Sequence, residues 1–177
     1  MLERVIEHLR RIGLAVHVDS GVNGFVPGVR IVDGALSVDP TCLSSSLLHE
    51  AGHLAIVPGR FRSLMNDNLA VGMRRMFDEL ESMNLHPDHP LRRAAIQCSD
   101  PEATAWAWAA GLACGLAPNE IVMDHEYDGA GAEIRAMLAC GQYAGINGLA
   151  HAGMCKRGMS VCAEERYPVM TTWLQAA

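Results

Sequence analysis

From Ala103 to Ala117 the chain reads ATAWAWAAGLACGLA, fifteen residues without one charge. At about 1.5 Å per residue this stretch spans roughly 23 Å as a helix, short of the ~30 Å hydrocarbon core of a bilayer. It therefore predicts a buried helix, not a membrane span. A helix apolar on every side has to be enclosed by other elements, and the remaining chain has the means. The protein has 177 residues, of which 50% are hydrophobic and 19% charged, enough for one domain with a substantial core and unlike a disordered chain. Only 5% are aromatic, so the core must rest on Leu, Val, Ala and Met.

Elements able to enclose the helix can be read along the chain. Leu2, Val5, Ile6, Leu9 and Ile12 recur at helical spacing, and Gly13 ends that helix. LAVHV (14–18) reads as a strand, and GVRIV and ALSVD flank Asp33-Gly34, a hairpin signal. A small antiparallel sheet of about three short strands is predicted over 14–39. Asp39-Pro40 closes it, and Thr41 or Ser44 can cap the next helix, which carries Leu43, Leu47, Leu48, Ala51, Leu54 and Ala55 before Pro58-Gly59. SLMNDNLAVGMRRMFDELESM predicts a Met-rich helix, NLHPDHP a loop, and Asp100-Pro101 the start of the buried helix. Residues 130–140 and 145–154 also read as helical. The fold class is α+β, a small sheet packed on a mostly helical body.

Charge and cysteine usage narrow the classes of function. The net charge is −6 with a pI near 5.7, and no long Lys/Arg run is present, so nucleic acid is not an expected partner. The pairs Arg10-Arg11, Arg74-Arg75 and Arg92-Arg93 read as solvated helix faces. The amino terminus, MLERVIEHLRRIGLAV, lacks the uninterrupted apolar core of a signal peptide. A cytoplasmic location away from the membrane is expected, with Cys42, Cys98, Cys114, Cys140, Cys155 and Cys162 as reduced thiols. Cys155, Cys162 and His151 lack the C-x-x-C spacing of a structural zinc site.

The chemistry lies in SLLHEAGHLA, Ser46 to Ala55. On a helix, His49 and His53 share one face with Cβ atoms about 5–6 Å apart. Two imidazoles so placed can converge on one ion at Zn–N distances of about 2.0–2.1 Å. Glu50 flanks the same site, placed to accept a proton from a metal-activated water and not to ligate. Gly52 costs about 1 kcal/mol in a helix interior relative to Ala, so with Ala51 it implies a slim helix packed closely against the sheet.

A catalytic zinc commonly takes a third protein ligand. The continuation His-x-x-Gly-x-x-His is absent, since Ile56 and Gly59 stand at those positions. His86, His89, His125, His151, Asp100 and Glu102 are the candidates. Glu102 is the choice: it is the one charge from Pro101 to Leu116, and a buried carboxylate needs a partner. His86 and His89, in HPDHP, come next. The competing structural reading of Glu102 is a first-turn acid that favours the helix dipole.

SSLLHEAGHLA followed by EATAWAWAAGLACGLAP resembles the ImmA/IrrE family of zincin-like metallopeptidases, over residues 28–118. In that family a short sheet leads into the His-Glu-x-x-His helix. A later helix supplies a Glu followed by Ala at +3, an aromatic at +6 and Ala at +7, here Glu102, Ala105, Trp108 and Ala109. The resemblance implies a single zincin-like domain over 1–177, His49, His53 and Glu102 as zinc ligands, and Glu50 as general base. The spacing from His53 to Glu102 is longer than the family's, which marks 59–99 as an insertion. No helix-turn-helix partner domain accompanies it.

The expected activity is zinc-dependent hydrolysis of a peptide bond in a protein or peptide substrate. Glu50 and His151 are the catalytic residues, His151 or Tyr143 serving as donor to the oxyanion. Two other readings compete: a metal-binding regulatory protein with the zincin fold and little turnover, and an interaction domain without metal. Two His and one carboxylate also admit iron or manganese.

Overall fold

The charge-free stretch is enclosed as its composition demands. In the computed structural model, which describes residues 1–176, it forms α5 (Asp100–Ala113), with every residue from Glu102 to Gly111 buried. α2 (Ser44–Ile56) lies along one side of it and α8 (Ala144–His151) along another. Glycines make both approaches close. A Cβ on Gly52 of α2 would stand 2.5 Å from the Ala103 carbonyl oxygen, and one on Gly145 of α8 would stand 1.8 Å from that of Pro101. The carboxy-terminal segment covers what remains. The Trp106 indole N–H donates to the Trp173 carbonyl at 2.9 Å, and the Tyr167 hydroxyl donates to the Ala105 carbonyl at 2.8 Å.

The other helices are α1 (Leu2–Arg11), α3 (Leu69–Ser82), α4 (Pro90–Ala95), α6 (Pro118–Ile121) and α7 (Gly131–Ala139), with 3₁₀ turns at Gly59–Leu64, Tyr127–Gly129 and Ala163–Glu165. None of the described helices is long and apolar enough to cross a membrane. The predicted cap of α2 is not used: Leu43 holds the N-cap position, and the Thr41 hydroxyl instead donates to Asp39 at 2.5 Å.

The fold is α+β as expected, with three strands, β1 (Val16–Val18), β2 (Val29–Val32) and β3 (Ala35–Val38), in the order β1-β3-β2. β2 and β3 form the expected hairpin, with Asp33 and Gly34 both at positive φ. β1 pairs parallel to β3, so the sheet is mixed and not wholly antiparallel. The loop after β1 carries the chain to the far edge before it turns, and the hairpin then returns β3 alongside β1 in the same direction. Strand alternation carries no information on that choice.

The segment 59–99, read as an insertion, contributes to the same core. Phe61, Met65, Met76, Leu80, Leu91 and Ala95 belong to the hydrophobic cluster that includes α2 and α5. It also covers the free edge of β2. The Gly34 N–H donates to the Met65 carbonyl at 2.9 Å, the Asp67 N–H to the Ile31 carbonyl at 3.1 Å, and the Ile31 N–H to Asp67 Oδ1 at 2.9 Å. An uncovered edge strand invites pairing with other chains; here it is blocked, and Asp67 and Asn68 are held beside the histidines of α2.

Candidate metal centre

His49 and His53 stand one turn apart on α2 with their rings at 90° and their Nε2 atoms 3.2 Å apart. Two nitrogens bound tetrahedrally at the usual Zn–N length would lie about 3.3–3.4 Å apart. The pair therefore has close to the separation a shared ion requires. Burial pushes the His49 pKa down to about 4; the neighbouring His53 adds to this and Asp100 opposes it. The imidazole is thus neutral near pH 7, the form that has a lone pair to give.

The third donor in reach is Asp100. Its Oδ1 lies 3.2 Å from His53 Nε2, and ligand atoms of His49, His53 and Asp100 all fall within 4.8 Å of one another. The contact with His53 holds the Asp100 carboxyl below its usual range, in its anionic form. Two imidazoles and one carboxylate are a donor set for a borderline divalent ion such as zinc.

Glu102, the ligand expected from the sequence, is not in that cluster. At 3.6 residues per turn it points about 200° away from Asp100 around α5, toward α8. The Ser99 hydroxyl donates to its carboxylate, and a Cβ on Gly148 of α8 would stand 2.0 Å from its Oε1. The buried carboxylate does have a partner, but the partner is Ser99. Two sequence signals point this way. Ser99-x-x-Glu102 has the form of a capping box. The Ala +3, aromatic +6, Ala +7 spacing is also met from Asp100, by Ala103, Trp106 and Ala107.

Glu50 is buried beside the pair. Burial raises its pKa, the Asp67 and Asp100 carboxylates add to the rise, and His53 works against it. Glu50, His49, His53 and Asp100 line one open cleft of about 550 Å³, together with Phe25 and Asn68. This is within the size range of ligand sites, about 300–1,000 Å³. A smaller hollow of about 210 Å³ shares His49 and Val26 with the cleft, and a third shares Val26, Ser46 and Glu126 with the second. The three adjoin as a groove that passes His49.

The other predicted residues lie elsewhere. His151 is exposed on the last turn of α8 and does not line the cleft, so the structure gives no basis for its oxyanion role. Tyr143, at the N-cap of α8, is half-buried and bonds to Thr104. His86 and His89 are exposed; His86 sits near Asp88, and His89 accepts the Leu91 N–H at the start of α4. His125 lines only the distal hollow.

One residue the sequence did not suggest touches the site. The Tyr127 hydroxyl lies 3.3 Å from His49 Nδ1 and 2.8 Å from Thr104 Oγ1. Burial pushes its pKa up to about 12. Its only trace in the sequence is the turn signal Asp128-Gly129 that follows it.

No protein-family model, curated protein or solved structure matches the chain.

Proposed function

We propose that this protein is a zinc-dependent metallopeptidase in which His49, His53 and Asp100 hold the ion and Glu50 is the general base. The observation that carries the reading is the spacing of three donors, with contacts of 3.2 Å from His53 Nε2 to both His49 Nε2 and Asp100 Oδ1, beside the buried carboxylate of Glu50. The donor set replaces Glu102 by Asp100 in the pattern that the ImmA/IrrE resemblance implies. When bound, a divalent ion supplies an electrophile that polarises a peptide carbonyl and acidifies a water.

The protein's own groups carry the proton. The Glu50 carboxylate takes it from the attacking water as the water oxygen adds to the carbonyl carbon. It returns the proton to the amide nitrogen as the C–N bond breaks, and the second water proton passes from the new carboxyl group to the amine, which leaves a carboxylate and an ammonium group. Burial favours the protonated form of Glu50 in the interval. Asn68, whose residue lines the cleft, offers an uncharged amide donor for the oxyanion.

A groove continuing on both sides of His49 suits an extended polypeptide better than a compact small molecule. A cytoplasmic setting fits the six free cysteines. Digestion of casein is the direct test. Cleavage is expected from the purified protein, lost after treatment with a chelator and restored by zinc alone. Cleavage that survives complete removal of metal contradicts the reading.

A further inference from the structure

We propose that Tyr127 is a positioning residue that fixes the tautomer and orientation of His49, through a relay running from His49 to Tyr127 to Thr104. The proposal rests on reading His49 as a metal ligand. The two ring nitrogens of an imidazole face different directions, and the structure gives each a separate partner. His49 Nε2 faces His53 Nε2 at 3.2 Å in the cleft, while Nδ1 faces the Tyr127 hydroxyl at 3.3 Å on the side of the adjoining hollow. To offer its Nε2 lone pair, neutral His49 must carry its proton on Nδ1. That N–H then donates to the phenolic oxygen, and the phenolic O–H donates to Thr104 Oγ1 at 2.8 Å. With the Nε2 lone pair given to an ion, this is the direction in which the relay runs.

Thr104 anchors the far end. It is fully buried on α5, one turn beyond Asp100 and on the same face. The relay thus ties a ligand on α2 to the helix that carries the third ligand. A second observation is independent of these distances. Tyr127 has φ +55°, followed by Asp128 at +57° and Gly129 at +89°. A bulky residue in the left-handed region is rare and costly. The segment is held down nearby: the Arg135 guanidinium donates to the Val122 carbonyl at 2.6 Å, and the Met123 N–H donates to Glu126 at 2.7 Å. The hydroxyl meets His49 on Nδ1, the nitrogen opposite the one that faces His53, so Tyr127 acts on the ring from the side of the adjoining hollow.

Outer-sphere partners of ligating histidines are commonly worth 10–100-fold in metal affinity. Tyr127→Phe keeps the ring and removes the hydroxyl. Two readouts test the relay: zinc affinity by competition with a chromophoric chelator, and the ¹⁵N shifts of the His49 ring in metal-free protein. Zinc affinity is expected to fall by about 10–100-fold at unchanged thermal stability. The His49 ring is expected to change from a single Nδ1–H tautomer to a mixture. Thr104→Val should shift both in the same direction by less, and the double variant should bind zinc no more weakly than Tyr127→Phe alone. Unchanged affinity with an unchanged tautomer overturns the proposal. If the wild type binds no zinc, the metal reading fails by itself, and the ring shifts of the metal-free protein still decide the relay: a mixture in Tyr127→Phe supports it, an unchanged ring overturns it.

Discussion

Glu50→Gln is expected to lower peptide-bond turnover by about 10²–10⁴-fold, the usual weight of a general base, while zinc content stays at the wild-type value. The amide has the shape of the carboxylate and still accepts a hydrogen bond, but it cannot take a proton from water. Removing the charge should not weaken the fold, because burial, reinforced by the Asp67 and Asp100 carboxylates, disfavours the Glu50 anion more than His53 favours it. The loss should therefore appear in kcat without a fall in Tm. Measuring kcat/KM on a fluorogenic casein beside the metal content of the same samples separates the outcomes. Equal turnover in both forms removes Glu50 from the mechanism. A zinc-loaded wild type that cleaves nothing favours the competing reading, a metal-binding regulatory protein.

Gly52→Ala is expected to destabilise the protein and loosen the metal site together. The added Cβ would stand 2.5 Å from the Ala103 carbonyl oxygen and 3.1 Å from its Cα, all backbone atoms, so no side chain can swing aside. α2 and α5 would have to separate, and this is the largest helix–helix contact in the protein. Overpacking of this kind costs about 1–3 kcal/mol and sometimes more, against a gain of about 1 kcal/mol in helix propensity. With backbone on the opposing side the balance should fall near 2 kcal/mol, or roughly 4–8 °C in Tm for a chain of this length. His53 and Asp100 sit on the two separated helices, so zinc affinity should fall as well. Gly59→Ala is the control, with its nearest neighbour at 3.6 Å. Thermal unfolding and zinc titration of both variants check this. A Gly52→Ala protein as stable as the wild type would mean that α2 and α5 are not in this contact.

Much of this arrangement is legible in the sequence because it depends on local spacing. His49, Glu50 and His53 are fixed relative to one another by a single helix, and the charge-free run of α5 foretells an enclosed helix. Gly52 signals a close approach, but what it meets is the backbone of α5 at Ala103 and not the sheet, because spacing within one helix does not say what lies opposite. What depends on facing was harder to read. Asp100 and Glu102 are two residues apart, and only the rotation of α5 decides which meets α2. Burial was a poor guide, since Glu102 is buried against Ser99 and Gly148 while Asp100 is exposed at the cleft. Tyr127 reaches His49 across 78 residues through a left-handed turn, and no periodicity records such a contact. The parallel pairing of β1 with β3 is likewise a matter of loop path, not of strand composition.

The most direct test of the central claim is elemental analysis of the wild type beside Asp100→Asn and Glu102→Gln, with circular dichroism to confirm that each is folded. Asn and Gln keep the size of the side chains they replace, so packing against His53 and Ser99 is preserved. The account predicts one zinc per chain in the wild type and in Glu102→Gln, and little or none in Asp100→Asn. Zinc retained by Asp100→Asn and lost from Glu102→Gln would contradict the assignment of the third ligand. A folded wild type that neither contains zinc nor takes it up would contradict the metal centre itself.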